Sequence, residues 1–191
     1  HVSLTAAGEG HGATWTVGDT IIFASDSGIM DVPAGGGTPR LIVKPDSGEA
    51  FHFPDILPGG KAVLFGVSGK GTLKLAALVR STGKVKRLAQ QGGYPRYVNG
   101  GFVVVSDPSG ILSAVPFDAE RLEVTGPARP LADKLLAAPD GDVNAGVSRT
   151  GDFTYQVTPS AGSRLVLVDR AGGSRNVGAD SGNYYNPRMA P

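Results

Sequence analysis

The sequence predicts an all-β fold of four-stranded antiparallel sheets, on three observations: a repeat, a pair of hairpin signals in every copy, and an excess of turn-forming residues. The 191 residues include 29 glycines and 14 prolines, over a fifth of the chain. That share suits many short elements joined by tight turns. The repeat is seen by aligning Ala13, Pro54, Pro95, Ala145 and Pro187, which are separated by 41, 41, 50 and 42 residues on subtracting their positions. A period of about 40–45 residues is that of a propeller blade built from four strands.

Each copy opens with a short extended stretch, turns, and continues into a β-branched or aromatic run: Gly12-Ala13-Thr14-Trp15 to Phe23, Phe53-Pro54-Asp55-Ile56 to Phe65, Tyr94-Pro95-Arg96-Tyr97 to Val105, and Asn144-Ala145-Gly146-Val147 to Tyr155. A second hairpin follows. Gly28–Val32 turns through Ala34-Gly35-Gly36-Gly37 into Arg40–Val43, Leu75–Val79 through Ser81-Thr82-Gly83 into Val85–Leu88, and Leu165–Val168 through Asp169–Gly173 toward Asn176-Val177. Glycine supplies the positive φ that such turns use. The copy from Ile111 to Leu131 is longer and turns at Phe117–Arg121. Inner strands are expected near 12–16, 53–57, 94–98 and 144–148, in repeats near 12–50, 51–92, 93–142 and 143–183 with a partial one at 184–191. All belong to one domain spanning 1–191. The segment Leu131–Ala138, between Pro130 and Pro139, is too short to be a stable helix and is read as a loop or a single helical turn.

Alternation and repeat position predict that Trp15, Ile22, Phe23, Val63, Phe65, Val103, Val105, Phe153 and Tyr155 are buried between blades. The recurring aromatic Phe102 is read as blade packing too.

Composition excludes several classes of function. Hydrophobic residues make up 40% of the chain, enough apolar surface to offset the entropy of ordering. The formal charge is +1 with both signs mixed along the chain, which lacks the footprint of a nucleic-acid or anionic-membrane partner. Cysteine is absent, so there are no disulfides and no thiolate chemistry. No apolar run reaches the roughly 20 residues of a membrane helix, so membrane insertion by this segment is not expected.

Catalytic and cofactor signals are weak. The histidines are His1, His11 and His52, without metal-ligand spacing, and neither metal nor cofactor is expected. Gly66-Val67-Ser68-Gly69 approaches a nucleophile elbow but falls in an expected hairpin turn, so its serine is read as a turn former. His11 within Gly8–Gly12 precedes a strand and lacks the helix N-terminus of a phosphate loop. Asp140-Gly141-Asp142-Val143-Asn144 alternates oxygens but lacks the later glutamate of a calcium loop. No catalytic residue is assigned. The polar residues at the entrances to the inner strands are different, because loops and strand ends on a rigid scaffold are where binding residues gather. His52, Asp55, Tyr94, Arg96, Asn144, Tyr184, Tyr185, Asn186 and Arg188 are the candidate ligand-binding set at one channel mouth.

Gly-Ala-Thr-Trp at 12–15, His52-Phe53-Pro54 with Leu57-Pro58-Gly59-Gly60-Lys61, Pro116-Phe117-Asp118-Ala119 with Val124-Thr125-Gly126, Val147–Gly151 and Val168–Gly172 resemble the TolB-like, WD-like propeller repeats of bacterial extracytoplasmic proteins. Within that group they are most similar to the C-terminal propellers of bacterial membrane serine/threonine kinases. The usual Pro-Asp-Gly turn is replaced by Val17-Gly18-Asp19, Pro58-Gly59-Gly60 and Asn99-Gly100-Gly101. The resemblance implies a ring of six or seven blades, a periplasmic or extracellular location, and a non-catalytic module binding a protein, peptide or glycan. The alternative it implies is a hydrolase, peptidase or esterase, or the substrate-gating propeller of one. About four complete blades are visible. Val2–Thr5 reads as the last strand of a preceding blade and Tyr185–Pro191 as the first of a following one. Further polypeptide completing the ring is therefore expected, or else a clasp between these two segments. The start at His1 is expected to mark a processed or excised piece.

Overall fold

The computed structural model describes residues 10–138, 140–157 and 165–177, and the segments 2–5 and 184–191 lie outside them. Four antiparallel sheets follow one another along the chain. Sheet I holds β1 (Gly10–Trp15), β2 (Thr20–Ser25), β3 (Gly28–Pro33) and β4 (Arg40–Val43). Sheet II holds β5 (Glu49–Ile56), β6 (Ala62–Gly69), β7 (Thr72–Val79) and β8 (Lys84–Gln91). Sheet III holds β9 (Gly93–Val98), β10 (Phe102–Ser106) and β11 (Leu112–Asp118), with β12 (Glu123–Val124) and β13 (Arg129–Ala132) both paired to β11. Sheet IV holds β14 (Ala145–Val147), β15 (Phe153–Tyr155), β16 (Val166–Val168) and β17 (Ser174–Asn176). Apart from one 3-10 turn at Pro58–Gly60, no helix occurs among the described residues.

Alternation along the strands decides which neighbour each side chain meets. In sheet II, Phe51, Val63, Phe65, Val67, Ala76 and Leu78 pack with Ile22, Ala24 and Ile29 of sheet I. The opposite face presents Leu64, Leu75 and Ala77 to Tyr97, Val103, Val105 and Val115 of sheet III. Val98, Val104 and Leu112 on the far side of sheet III meet Ala145, Phe153 and Val168 of sheet IV. The first strand of each of the middle sheets reaches across the sheet before it: β5 lies against β1, β2 and β3, and β9 against β5, β6 and β7. Face-to-face stacking of successive four-stranded sheets, with the first strand innermost, is the arrangement of propeller blades.

Two expectations about burial are corrected. Trp15 is 62% exposed because it pairs with Ile21 on the face of sheet I turned away from sheet II, a face it shares with Phe23, Met30 and Leu41. Phe102 is 41% exposed because it borders an open crevice between sheets III and IV. Tyr155 is half-buried, while Ile22, Val63, Phe65, Val103, Val105 and Phe153 are buried between sheets as expected; Phe23 is buried too, but on the outer face of sheet I rather than against sheet II. Gly66–Gly69 is also corrected: it lies within β6, and the turn comes after it, at Lys70-Gly71. The segment read as a loop or helical turn begins as the end of β13 and continues through single bridges at Leu135 and Ala137.

Leu64 is fully buried between sheets II and III, whereas Leu41 is 37% exposed on the outer face of sheet I. Leu64→Ala is therefore expected to lower stability by about 3 kcal/mol and Leu41→Ala by less than about 1 kcal/mol in urea denaturation.

Candidate functional site

The aligned repeat position marks a structural device. The residue just before Ala13, Pro54 and Pro95 has left-handed backbone in each case: Gly12 (φ 96), Phe53 (φ 52) and Tyr94 (φ 48). At each, the register of the inner strand slips against its neighbour, between Gly10 and Ala13, between His52 and Asp55, and between Gly93 and Arg96. These are β-bulges, which bend a strand and re-aim its side chains. For phenylalanine and tyrosine the conformation costs about 1 kcal/mol or more, and such strain gathers at functional places.

The residues preceding the bulges, His11, His52 and Gly93, form one tier. The imidazoles of His11 and His52 meet edge to face with centroids 5.0 Å apart. His11 Nε2 lies 3.0 Å from Asp26 Oδ1 in the β2–β3 turn. His52 is 4% exposed, with Nε2 2.7 Å from Ser68 Oγ. Gly93 has a different part. A Cβ there would stand 2.9 Å from the Asp140 carbonyl and 3.2 Å from Gly141 Cα, so its missing side chain admits the 140–141 turn. That turn carries the Asp140 carboxylate to 3.8 Å from His52 Nδ1, outside hydrogen-bond reach, and the buried Nδ1 has no partner. Burial holds the His52 ring below its ordinary pKa, against the pull of Asp140 and together with the repulsion of His11.

The second tier is centred on Asp55. Its buried carboxylate receives two parallel bonds from Arg149, Nη1 to Oδ2 and Nη2 to Oδ1, each 3.0 Å. The Tyr97 amide donates a third at 2.8 Å. Arg149 also donates to the carbonyls of Ile56 at 2.6 Å and Tyr97 at 3.2 Å. Arg96 lies over the Tyr94 ring, 4.0 Å from its centroid, and donates to the carbonyls of Pro95 at 2.8 Å and Phe53 at 3.3 Å. The Tyr94 hydroxyl donates to the Ala145 carbonyl. Burial pushes the Asp55 carboxyl above its usual range, and the two arginines and the Tyr97 amide only partly offset this.

Of the candidate residues, the structure thus brings His52, Asp55, Tyr94 and Arg96 onto the adjacent inner strands β5 and β9. Asn144 stands just ahead of β14 and donates to Gln156 Oε1 at 2.9 Å. Tyr184, Tyr185, Asn186 and Arg188 lie outside the described residues. Asp55 and Tyr94 are buried and bonded to neighbouring sheets, while His52 keeps an unsatisfied atom. Sequence reasoning missed Ser68, Asp140 and Arg149. Nothing in the order of residues places Arg149 beside a carboxylate 94 positions earlier.

Ser68, His52 and Asp140 share the order of a nucleophile, a base and a carboxylate. The link that would fix the imidazole tautomer is open at 3.8 Å, so the geometry falls short of a triad. Among the described residues no group of three or more His, Asp or Glu side chains could hold a metal ion. None of their helices is long and apolar enough to cross a membrane.

Neither a protein family nor a curated protein sequence matches the chain. Solved structures do. TolB from Acinetobacter baumannii superposes with a TM-score of 0.66 at 20% identity, over 88% of this chain and 43% of its own. A putative TolB from Agrobacterium tumefaciens gives 0.63 at 18%, over 83% and 61%. The calcium-binding protein regucalcin from Agrobacterium tumefaciens gives 0.61 at 18%, over 86% and 58%. An oligogalacturonate lyase in complex with manganese gives 0.54 at 14%, over 78% and 44%. The fold is a TolB-like β-propeller, and the chain spans less than two thirds of the length of these proteins.

Two outcomes test the tiers. Arg149→Met leaves the Asp55 carboxylate buried without its main partner, at an expected cost of about 2–3 kcal/mol at neutral pH; a fully buried pair would cost more, and Arg149 is partly open to solvent. The folded-state pKa of Asp55 lies above the unfolded one, so its ionisation lowers stability as pH rises from about 3.8 through the folded value. The cost of Arg149→Met is thus expected to shrink toward pH 4 in urea titrations. His52 has the opposite sign: its folded pKa is depressed, so stability is lost as pH falls from about 6.5 through the folded value. Comparing urea midpoints at pH 7.5 and 5.5, His52→Gln is expected to lose less on acidification than the parent.

Proposed function

We propose that the chain is a binding module without a catalytic step of its own, holding a peptide, a glycan or a partner protein at the mouth formed by its inner strands. The observation that carries this reading is the buried, unpartnered Nδ1 of His52, set between Asp140 and His11 beside a strained bulge. An unpaired buried polar atom costs about 1–3 kcal/mol and calls for an explanation, and a ligand hydrogen bond supplies one. The strands behind it are buried and well packed, as a recognition scaffold requires. Arg96, half-buried on the neighbouring strand, would add a cation for a ligand carboxylate. In the whole protein, further polypeptide would complete the ring. Similarity to TolB structures, and the resemblance to propellers of membrane kinases, support an extracytoplasmic sensor.

A hydrolase is favoured by one observation, the 2.7 Å contact between Ser68 Oγ and His52 Nε2. Lyase chemistry on the same fold at 14% identity shows that fold alone does not decide.

NMR titration of the chain with a panel of short peptides and oligosaccharides tests the reading. The expected result is a ligand that shifts the His52 ring protons and the Arg96 side chain and loses affinity roughly tenfold or more in His52→Ala. A panel whose binders all leave His52 and Arg96 unshifted contradicts it, and so does a fluorophosphonate adduct on Ser68 in intact mass spectra, which supports the hydrolase.

A further inference from the structure

The strands of sheet IV are three residues long, against eight in sheet II, so sheet IV covers only part of the face that sheet III presents to it. The fourth strand of sheet III is also split, with β13 pairing to Leu112–Ala114 and β12 to Phe117-Asp118. An open crevice of about 440 Å³ results between the two sheets. Its walls include Phe102, Val104, Leu131, Val147, Phe153 and Val168, with Phe102 41% and Leu131 42% exposed. Volumes of this size with mostly apolar walls and a few polar groups are those of small-molecule sites.

Asp169 and Arg170 stand at the rim. The Asp169 carboxylate is engaged, accepting from the amides of Ala171 at 2.9 Å and Gly173 at 2.8 Å. Among the described residues the Arg170 guanidinium has no hydrogen-bond or ion-pair partner. It rests on the backbone of Gly151, where a Cβ would stand 2.8 Å from Nε, so the glycine at φ 95 is what lets the guanidinium lie there. A solvent-facing apolar wall beside a free, forked donor suits a ligand with an apolar body and a single anionic end. The neighbouring Asp169 charge disfavours a dianion such as a phosphate monoester.

We propose that the crevice between sheets III and IV is a binding site for a small apolar monocarboxylate, its hydrocarbon part against Phe102, Leu131 and Val168 and its carboxylate on Arg170. The site is separate from the inner-strand mouth and does not depend on it. The probe is 4-phenylbutyrate, titrated into the full chain and followed by methyl and amide NMR, with the neutral 4-phenylbutanamide as control. Saturable shifts confined to Val104, Leu131, Val147, Val168 and residues 169–172 are expected, with affinity falling roughly tenfold in Arg170→Gln and for the amide. Arg170 is an exposed turn residue, so its variant is expected to fold, and Arg175→Gln on β17 should leave affinity unchanged. The proposal is overturned by the absence of saturable shifts, by shifts centred on another surface such as that of Trp15 and Leu41, or by equal affinity in Arg170→Gln.

Discussion

Three of the four sheets meet at one carboxylate. Asp55 belongs to the inner strand of sheet II, takes an amide from sheet III through Tyr97, and takes both ends of a guanidinium from the β14–β15 turn of sheet IV. Burying that charge is unfavourable, which is why its pKa is raised, and the network is tolerable only while every donor is in place. The apolar layers between blades are non-directional. The forked pair sets their relative position. Sheet IV depends on it most, since strands of three residues give little area to hold it against sheet III.

With the sheets placed, the bulges at Gly12, Phe53 and Tyr94 acquire their meaning. Each occurs at the same place in its repeat, and each is followed by the Ala or Pro that anchors the alignment. The substitution of glycine for histidine at position 93 breaks the equivalence, and the 140–141 turn fills the room it leaves. The tier is therefore asymmetric, with His11, His52 and Asp140 gathered together and Gly93 giving way to the turn.

The strands and their order were legible in the sequence because both rest on local chemistry: alternation, turn residues and a period. His52, Asp55, Tyr94 and Arg96, picked out as polar residues at inner-strand entrances, fall on the adjacent strands β5 and β9. What was not legible depends on which neighbour a face meets. Trp15 has the alternation of a buried residue but sits on the side of sheet I that sheet II does not cover. Phe102 looks like blade packing until the shortness of sheet IV is known. Ser68 reads as a turn residue, since the hairpin at Lys70-Gly71 lies only two positions on. Arg149 is one more polar residue in a turn until the fold carries it across to Asp55.

The central claim is that the Asp55–Arg149 pair couples the sheets, and a double-mutant cycle measures that coupling with no ligand involved. Stabilities of the parent, Asp55→Asn, Arg149→Met and the double variant would be taken from urea denaturation at pH 7. The account predicts a coupling energy of about 2 kcal/mol or more, with the double variant more stable than the sum of the single losses implies. Additive losses within about 0.5 kcal/mol would mean that the two side chains act independently, and the pair could not be what positions sheet IV.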